Sequence, residues 1–229
     1  MLEDSWLIEK LDSIDSSQTF AKKYHKTGQR VILTREQTAG YGQKGRPWTS
    51  IPGNLFATLS FPYLGQNHQQ ITLVAALALG KSLSQIKPDL NYQYKWVNDL
   101  LLEGKKFAGI LCEAHDERIF LGLGVNLKAS PSSNANLASY GLKIFPEELI
   151  SLFLKNFTEE FNFWISNGFK ALAAAWEARA YGLGEEVRLE LESGEELTGT
   201  FLGLDERGLI LLTHGKKISL LACRFLDIV

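Results

Sequence analysis

A stretch rich in glycine and cations, Gln37-Thr38-Ala39-Gly40-Tyr41-Gly42-Gln43-Lys44-Gly45-Arg46-Pro47-Trp48, lies between two apolar runs, 29–37 and 55–61, that both read as strands. Its placement restricts the fold more than any other feature. Gly40, Gly42 and Gly45 spell Gly-x-Gly-x-x-Gly. In a dinucleotide-binding fold that pattern leads a strand into a helix whose N-terminus holds a pyrophosphate, with an acidic residue about 20 positions further on. Here Pro47 and Trp48 intervene, the turn-like Ser50-Ile51-Pro52-Gly53 follows, and the next regular element is again a strand. A strand–loop–strand setting puts no helix N-terminus on a phosphate, so the doubly wound reading fails. Two readings remain: a surface turn, or a loop whose backbone N–H groups act with Lys44 and Arg46 on phosphate or carboxylate oxygens.

The rest of the chain supports an α+β fold. A short strand at 6–11 precedes a helix that starts at Ser16 or Ser17, carries Phe20 and Tyr24 at i, i+4 spacing, and stops at Gly28. Residues 68–87 form a strongly apolar helix closed by Pro88; Lys81, Ser82, Ser84 and Gln85 make it a core helix rather than a membrane span. Strand patterns at 92–97, 100–103, 107–113 and 119–127 read as a run of antiparallel hairpins. Residues 129–140 read as a mobile loop, and helices follow at 146–167, with Pro at the first turn, and 169–180. After Gly182-Leu183-Gly184, strand patterns at 186–191, 196–204, 208–213 and 217–221, with turns such as His214-Gly215, suggest a small barrel. Strands and helices that do not alternate favour a mixed or antiparallel sheet flanked by helices. The expected domains are 1–181 and 182–229.

Composition excludes several function classes. Net charge is −2, so no global basic field attracts nucleic acid or an anionic membrane. Cys112 and Cys223 both sit in apolar segments, the pattern of reduced, buried thiols in a cytoplasmic protein rather than of a metal site. The opening Met1-Leu2-Glu3-Asp4-Ser5 is not a signal peptide. The dozen or so residues ahead of the first motif are too few for a helix-turn-helix, so no direct DNA regulation is expected.

Four further stretches accompany the glycine loop. Ser16-Ser17-Gln18 offers two hydroxyls and an amide at a helix start, where a serine is ordinarily only a cap. Lys95-Trp96-Val97-Asn98-Asp99 interrupts an apolar strand with a cation, an amide and a carboxylate. Lys105-Lys106-Phe107-Ala108-Gly109-Ile110-Leu111 puts lysine where a turn feeds a buried strand, commonly a guard against edge pairing. Gly122-Leu123-Gly124-Val125-Asn126 allows close backbone approach and then supplies an amide.

In this order the five motifs resemble those of the biotin protein ligases, and the resemblance spans roughly residues 12–127. It implies a catalytic domain like that of class II aminoacyl-tRNA synthetases and a C-terminal SH3-like barrel. It also implies that biotin and ATP form biotinyl-5′-AMP and pyrophosphate with Mg²⁺, and that the biotinyl group passes to a lysine on the biotin carboxyl carrier domain of acetyl-CoA carboxylase. By resemblance Lys106 and Arg46 are catalytic. Ser16, Ser17, Gln18, Gln37, Tyr41, Gly42, Gln43, Lys106 and Gly109 contact biotin. Gly40, Lys44, Arg46, Trp48, Lys95, Asn98, Asp99 and Asn126 contact ATP or the adenylate, and Asp99 also stands near the metal, whose ligand set is open. A monomer or weak homodimer is expected.

Two departures accompany the match. Relatives carry arginines where this chain has Tyr41 and Gln43, so two loop cations are missing. No Trp stands between 128 and 140 to cover an adenine, and only Tyr140 could do so. The competing readings are a lipoate or octanoate ligase or transferase of similar fold, and a binding module with impaired catalysis.

Overall fold

The computed structural model describes residues 1–65, 67–214, 216–220 and 223–229. The turn expected at 215 and the strand end expected at 221 lie outside them. Ser16, extended and with its hydroxyl accepting from the Thr19 N–H, caps helix α1 (Ser17–Tyr24). This helix joins β1 (Leu7–Ile14) to β2 (Arg30–Gln37), and because the chain crosses over through it, the two strands pair in parallel. The first strand is thus longer than expected and pairs in parallel with β2. Next come β3 (Leu55–Pro62), α2 (His68–Ile86), β4 (Tyr92–Lys95), β5 (Asp99–Leu102), β6 (Lys105–His115) and β7 (Arg118–Val125). These strands form a mixed seven-stranded sheet in the order β1-β2-β3-β7-β6-β5-β4.

Alternation along the strands separates two faces. Val31, Leu33, Leu59, Ile119 and Leu121 face α2 and α3 (Pro146–Asn167) and build the main core, with Phe153, Phe157 and Phe161 of α3 wholly or almost wholly buried. On the opposite face Ile32 and Phe120 meet Ala21 of α1. α1 covers only part of that face, and the rest is open to the cleft described below. After α4 (Lys170–Glu177), a second, antiparallel sheet contains β8 (Glu186–Leu191), β9 (Glu196–Leu204), β10 (Ile210–His214), β11 (Lys216–Leu220) and β12 (Cys223–Ile228), in the order β11-β10-β9-β8-β12. Strand β12 escaped the sequence reading: apolar and charged residues fall on both of its faces, and its pairing with β8 slips between Phe225 and Asp227.

The segment 129–140, expected to be a mobile loop, has a defined path. Asn54 Oδ1 accepts the N–H groups of Leu127 and Lys128, each at 3.0 Å, and Asn54 Nδ2 donates to the Ala129 carbonyl at 2.8 Å. The N–H of Ala135 bonds to the Lys106 carbonyl, and Leu137 is fully buried.

His25 follows α1 and is 2% exposed. Its Nε2 lies 3.4 Å from Glu9, and its Nδ1 is buried with no partner among the described residues. Burial pushes its pKa below the ordinary value; Glu9 opposes the shift, and Arg30 and Arg118 add to it. As the pH falls below about 6.5 the unfolded chain takes up a proton that the folded chain refuses, so stability is lost from there down to the lowered folded pKa and no further. Urea midpoints at pH 7.5 and 5.5 will show a fall for the native protein and a smaller one for His25→Gln. Equal falls would remove His25 from the account.

Candidate active site

Strand register explains how the cleft forms. Across the α1 face, Ile32 pairs with Thr58, Thr58 with Gly122 and Gly122 with Leu111. The neighbouring row runs Phe56, Gly124, Gly109 and Asp99, and the row on the other side brings Phe120 to Glu113. Gly109, Gly122 and Gly124 therefore leave a hollow in the sheet where three side chains would stand. A Cβ at Gly124 would meet the Trp48 ring at 2.6 Å, and one at Gly122 would meet Gln18 Oε1 at 2.9 Å. The cleft over this hollow has a volume of about 320 Å³.

The polar end is built from α1 and the strands beside it. Ser17 N–H donates to Gln37 Oε1 at 2.8 Å, and the Ser17 hydroxyl lies 2.8 Å from that of Thr58. Thr58 donates to Gln18 Oε1 at 3.1 Å, and Gln18 Nε2 donates to Glu113 Oε2 at 2.8 Å and to the Phe120 carbonyl at 2.9 Å. Lys22 forms an ion pair with Glu113 at 2.7 Å, and Tyr41 of the glycine loop donates to the same carboxylate oxygen at 3.4 Å. Partial burial pulls the Lys22 pKa down, but the hydrogen bond and charge of Glu113 outweigh this and hold it above the ordinary lysine value.

At the centre stands Lys106. Strand pairing slips between Leu100 and Leu101, and this bulge lets Phe107 stay in the core while Lys106 turns to the cleft. The Lys106 ammonium lies 2.6 Å from Asp99 Oδ1 and 5.2 Å from the centre of the Trp48 ring. Trp48 rests on Gly109 and Gly124, and its indole N–H is buried with no partner among the described residues. Such a donor fits a ligand acceptor, since an unpaired buried N–H costs about 1–3 kcal/mol. Asp99 is the carboxylate among the described residues that line the cleft. No cluster of three or more His, Cys, Asp or Glu residues suited to a metal occurs among the described residues.

The structure brings most of the sequence-derived candidates together. Ser16, Ser17, Gln18, Gln37, Tyr41, Gly42, Gln43, Arg46, Trp48, Lys95, Asn98, Asp99, Lys106, Gly109 and Asn126 all line the cleft. Gly40 and Lys44 do not; Lys44 is exposed, with φ at 55°, and Gly40 is buried where its carbonyl accepts from the Trp48 N–H at 2.9 Å. Asn98 Nδ2 donates to the Ile110 carbonyl at 3.0 Å. Asn126, 2% exposed, donates to the Ala135 carbonyl at 3.1 Å and so fastens the segment after β7. Lys95 donates to the Leu226 carbonyl of β12 at 2.8 Å and lies 5.2 Å from the Phe225 ring. Burial is the main cause that lowers its pKa.

Sequence reasoning missed Thr58, Lys22, Glu113 and Arg224. Thr58 and Glu113 occupy ordinary strand positions, and only the register places them beside Gln18. Arg224 reaches the cleft wall with Cys223 and Phe225 because β12 packs there. It lies 3.4 Å from Glu190 in a half-exposed ion pair and adds a cation to the cleft lining. Burial pushes the Cys223 thiol up to about 12, so this cysteine is no nucleophile at neutral pH.

Residues 11–128 match the biotin/lipoate A/B protein ligase family, and residues 182–218 match the biotin protein ligase C-terminal domain. The chain belongs to the biotin/lipoate A/B protein ligase family. Biotin protein ligases are among its relatives within that family. The chain is 33% identical over 204 residues to the biotin–[acetyl-CoA-carboxylase] ligase of Paracoccus denitrificans, an alignment covering 81% of this chain and 85% of that one. It is 29% identical to the bifunctional ligase/repressor BirA of Bacillus subtilis, with coverage of 82% and 63% respectively. Among solved structures, the biotin protein ligase of Aquifex aeolicus in complex with biotin and ATP superposes with a TM-score of 0.85 at 26% identity, covering 96% of this chain and 98% of that one.

Proposed function

We propose that the chain is a biotin–protein ligase: it joins biotin to ATP as biotinyl-5′-AMP and passes the biotinyl group to a lysine of a carrier domain, that of acetyl-CoA carboxylase. One observation carries this reading. Lys106 stands where the polar pocket of Ser17, Gln18 and Gln37 meets the cation-bearing loop, within a single cleft. A biotin carboxylate held there and the α-phosphate of ATP are both anions, and their approach needs a cation between them. A carboxylate oxygen attacks the α-phosphorus and pyrophosphate leaves. The carrier lysine amine then attacks the acyl carbon and AMP leaves. The work is positioning and charge stabilisation, supplied by Lys106, Arg46 and the loop N–H groups.

Mg²⁺ is typically bound through substrate phosphates and one or two carboxylates, so a dedicated cage is not required. Asp99 is the lining residue suited to touch it, and the ion would offset pyrophosphate charge. The first 181 residues form the synthetase-like catalytic domain, and 182–229 an SH3-like cap whose strand β12 closes one wall. Biotin-dependent ATP–pyrophosphate exchange, run beside lipoate and octanoate, tests the reading; exchange with biotin alone is expected, and exchange with lipoate alone overturns it.

The loop carries a further expectation. Tyr41 is turned toward Lys22 and Glu113, and Gln43 is exposed at the cleft edge, so neither gives the adenylate a charged fork. Gln43→Arg will slow release of biotinyl-AMP by roughly tenfold, in line with a charge-assisted bond. Equal release rates from the two proteins would show that position 43 has no part in retention.

A further inference from the structure

A hydrogen-bond chain in the floor of the cleft has its direction set from outside the cleft. The Phe120 carbonyl and the Glu113 carboxylate only accept, and both lie on Gln18 Nε2, at 2.9 and 2.8 Å. The Gln18 amide nitrogen is committed to them, so its oxygen faces Thr58. That oxygen only accepts, and the Thr58 hydroxyl, 3.1 Å away, must donate to it. Thr58 has a single hydroxyl hydrogen. The 2.8 Å contact with Ser17 therefore runs from the Ser17 hydroxyl to Thr58, and Ser17 keeps only lone pairs for the cleft. Beside it, Gln37 uses its oxygen on the Ser17 N–H, which leaves its amide nitrogen for a ligand. An acceptor next to a donor is the complement of a urea edge, where an N–H adjoins a C=O.

We propose that Glu113 is a positioning residue that, together with the Phe120 carbonyl, fixes this polarity, so that Ser17 presents an acceptor to a ureido N–H and rejects rings lacking one. Lys22, 2.7 Å from the carboxylate, only donates and cannot reverse the chain. Tyr41 donates to the same oxygen and ties the glycine loop to the relay. The proposal rests on the biotin reading and deepens it, because a dithiolane ring offers no such N–H.

The test is biotin-dependent ATP–pyrophosphate exchange with biotin and with two analogues, each methylated on one ureido nitrogen. The native enzyme will discriminate against the analogue blocked at the nitrogen facing Ser17 by about tenfold or more in KM, the scale of one unmade buried hydrogen bond. Glu113→Gln places an amide beside Gln18 that can donate as well as accept, so the Phe120 carbonyl is left as the one obligate acceptor and the direction is held less firmly. Its KM for biotin will rise about tenfold, with kcat within about threefold and little change for the blocked analogue, so discrimination collapses. Thr58→Val, which removes one hydroxyl at nearly constant shape, will do the same and stands in if Glu113→Gln does not fold. An unchanged biotin KM, or equal losses for biotin and analogue, overturns the relay while leaving the biotin reading intact. Absence of exchange with biotin in the native enzyme overturns both.

Discussion

Lys106→Ala will lower biotin-dependent ATP–pyrophosphate exchange by about 10³-fold, with the melting temperature within a few degrees of native. The size follows from geometry. Removal of one preorganised donor from a developing anion costs ~10²–10³ in rate. Here the same loss also leaves the Asp99 carboxylate, now 2.6 Å from the ammonium, unneutralised beside two anionic substrates. Lys106→Arg will rescue poorly, because a planar fork cannot take the place of a compact ammonium between Asp99 and Trp48. The fold does not depend on the ammonium: Lys106 is partly exposed, and its neighbour Phe107 holds the strand to the core. A loss of less than about tenfold would move the chemistry away from Lys106, and Arg46 or Arg224 would become the leading cation.

Gly124→Ala will reduce the same exchange by about 10²-fold, the penalty associated with misplacing a reacting group by about an ångström. The added methyl would stand 2.6 Å from the indole of Trp48, closer than real contacts allow, and the other side is sheet backbone that cannot retreat. The loop must therefore lift, carrying with it the Trp48 N–H and the neighbouring Arg46. Gly124 has ordinary strand conformation, so alanine strains no backbone dihedral, and a thermal melt will separate displacement from unfolding. Tryptophan fluorescence should move with the displaced ring. Native activity in this variant would show that the loop tolerates displacement and that the hollow is wider than the resting contact requires.

Much of this site was legible in the sequence because its chemistry is local. Ser16-Ser17-Gln18 sits at a cap, and Lys95 to Asp99 breaks an apolar strand. Lys106 follows a turn, and the glycine loop announces itself. What was not legible depends on register. Glu113 looks like any charged residue near a strand end until pairing with Phe120 puts it under Gln18. Lys106 would point into the core but for a slip of pairing at Leu101, which no local pattern records. The segment 129–140 looked mobile because its composition is polar, yet its asparagines and serines satisfy backbone groups instead of solvent. Strand β12 was lost because six residues at a chain end carry little periodicity of their own, and with it went Arg224.

Strand β12 also separates the shape of the cleft from its chemical motifs. Cys223, Arg224 and Phe225 form one wall of the cleft, yet they fall beyond both spans matched to known families, 11–128 and 182–218. All five chemical motifs lie in the first sheet, its loops and the start of α1. Substitutions at 223–225 therefore alter the shape and charge of the wall while every motif stays intact. The wall can thus be reshaped by substitution at 223–225 without touching any of the five motifs.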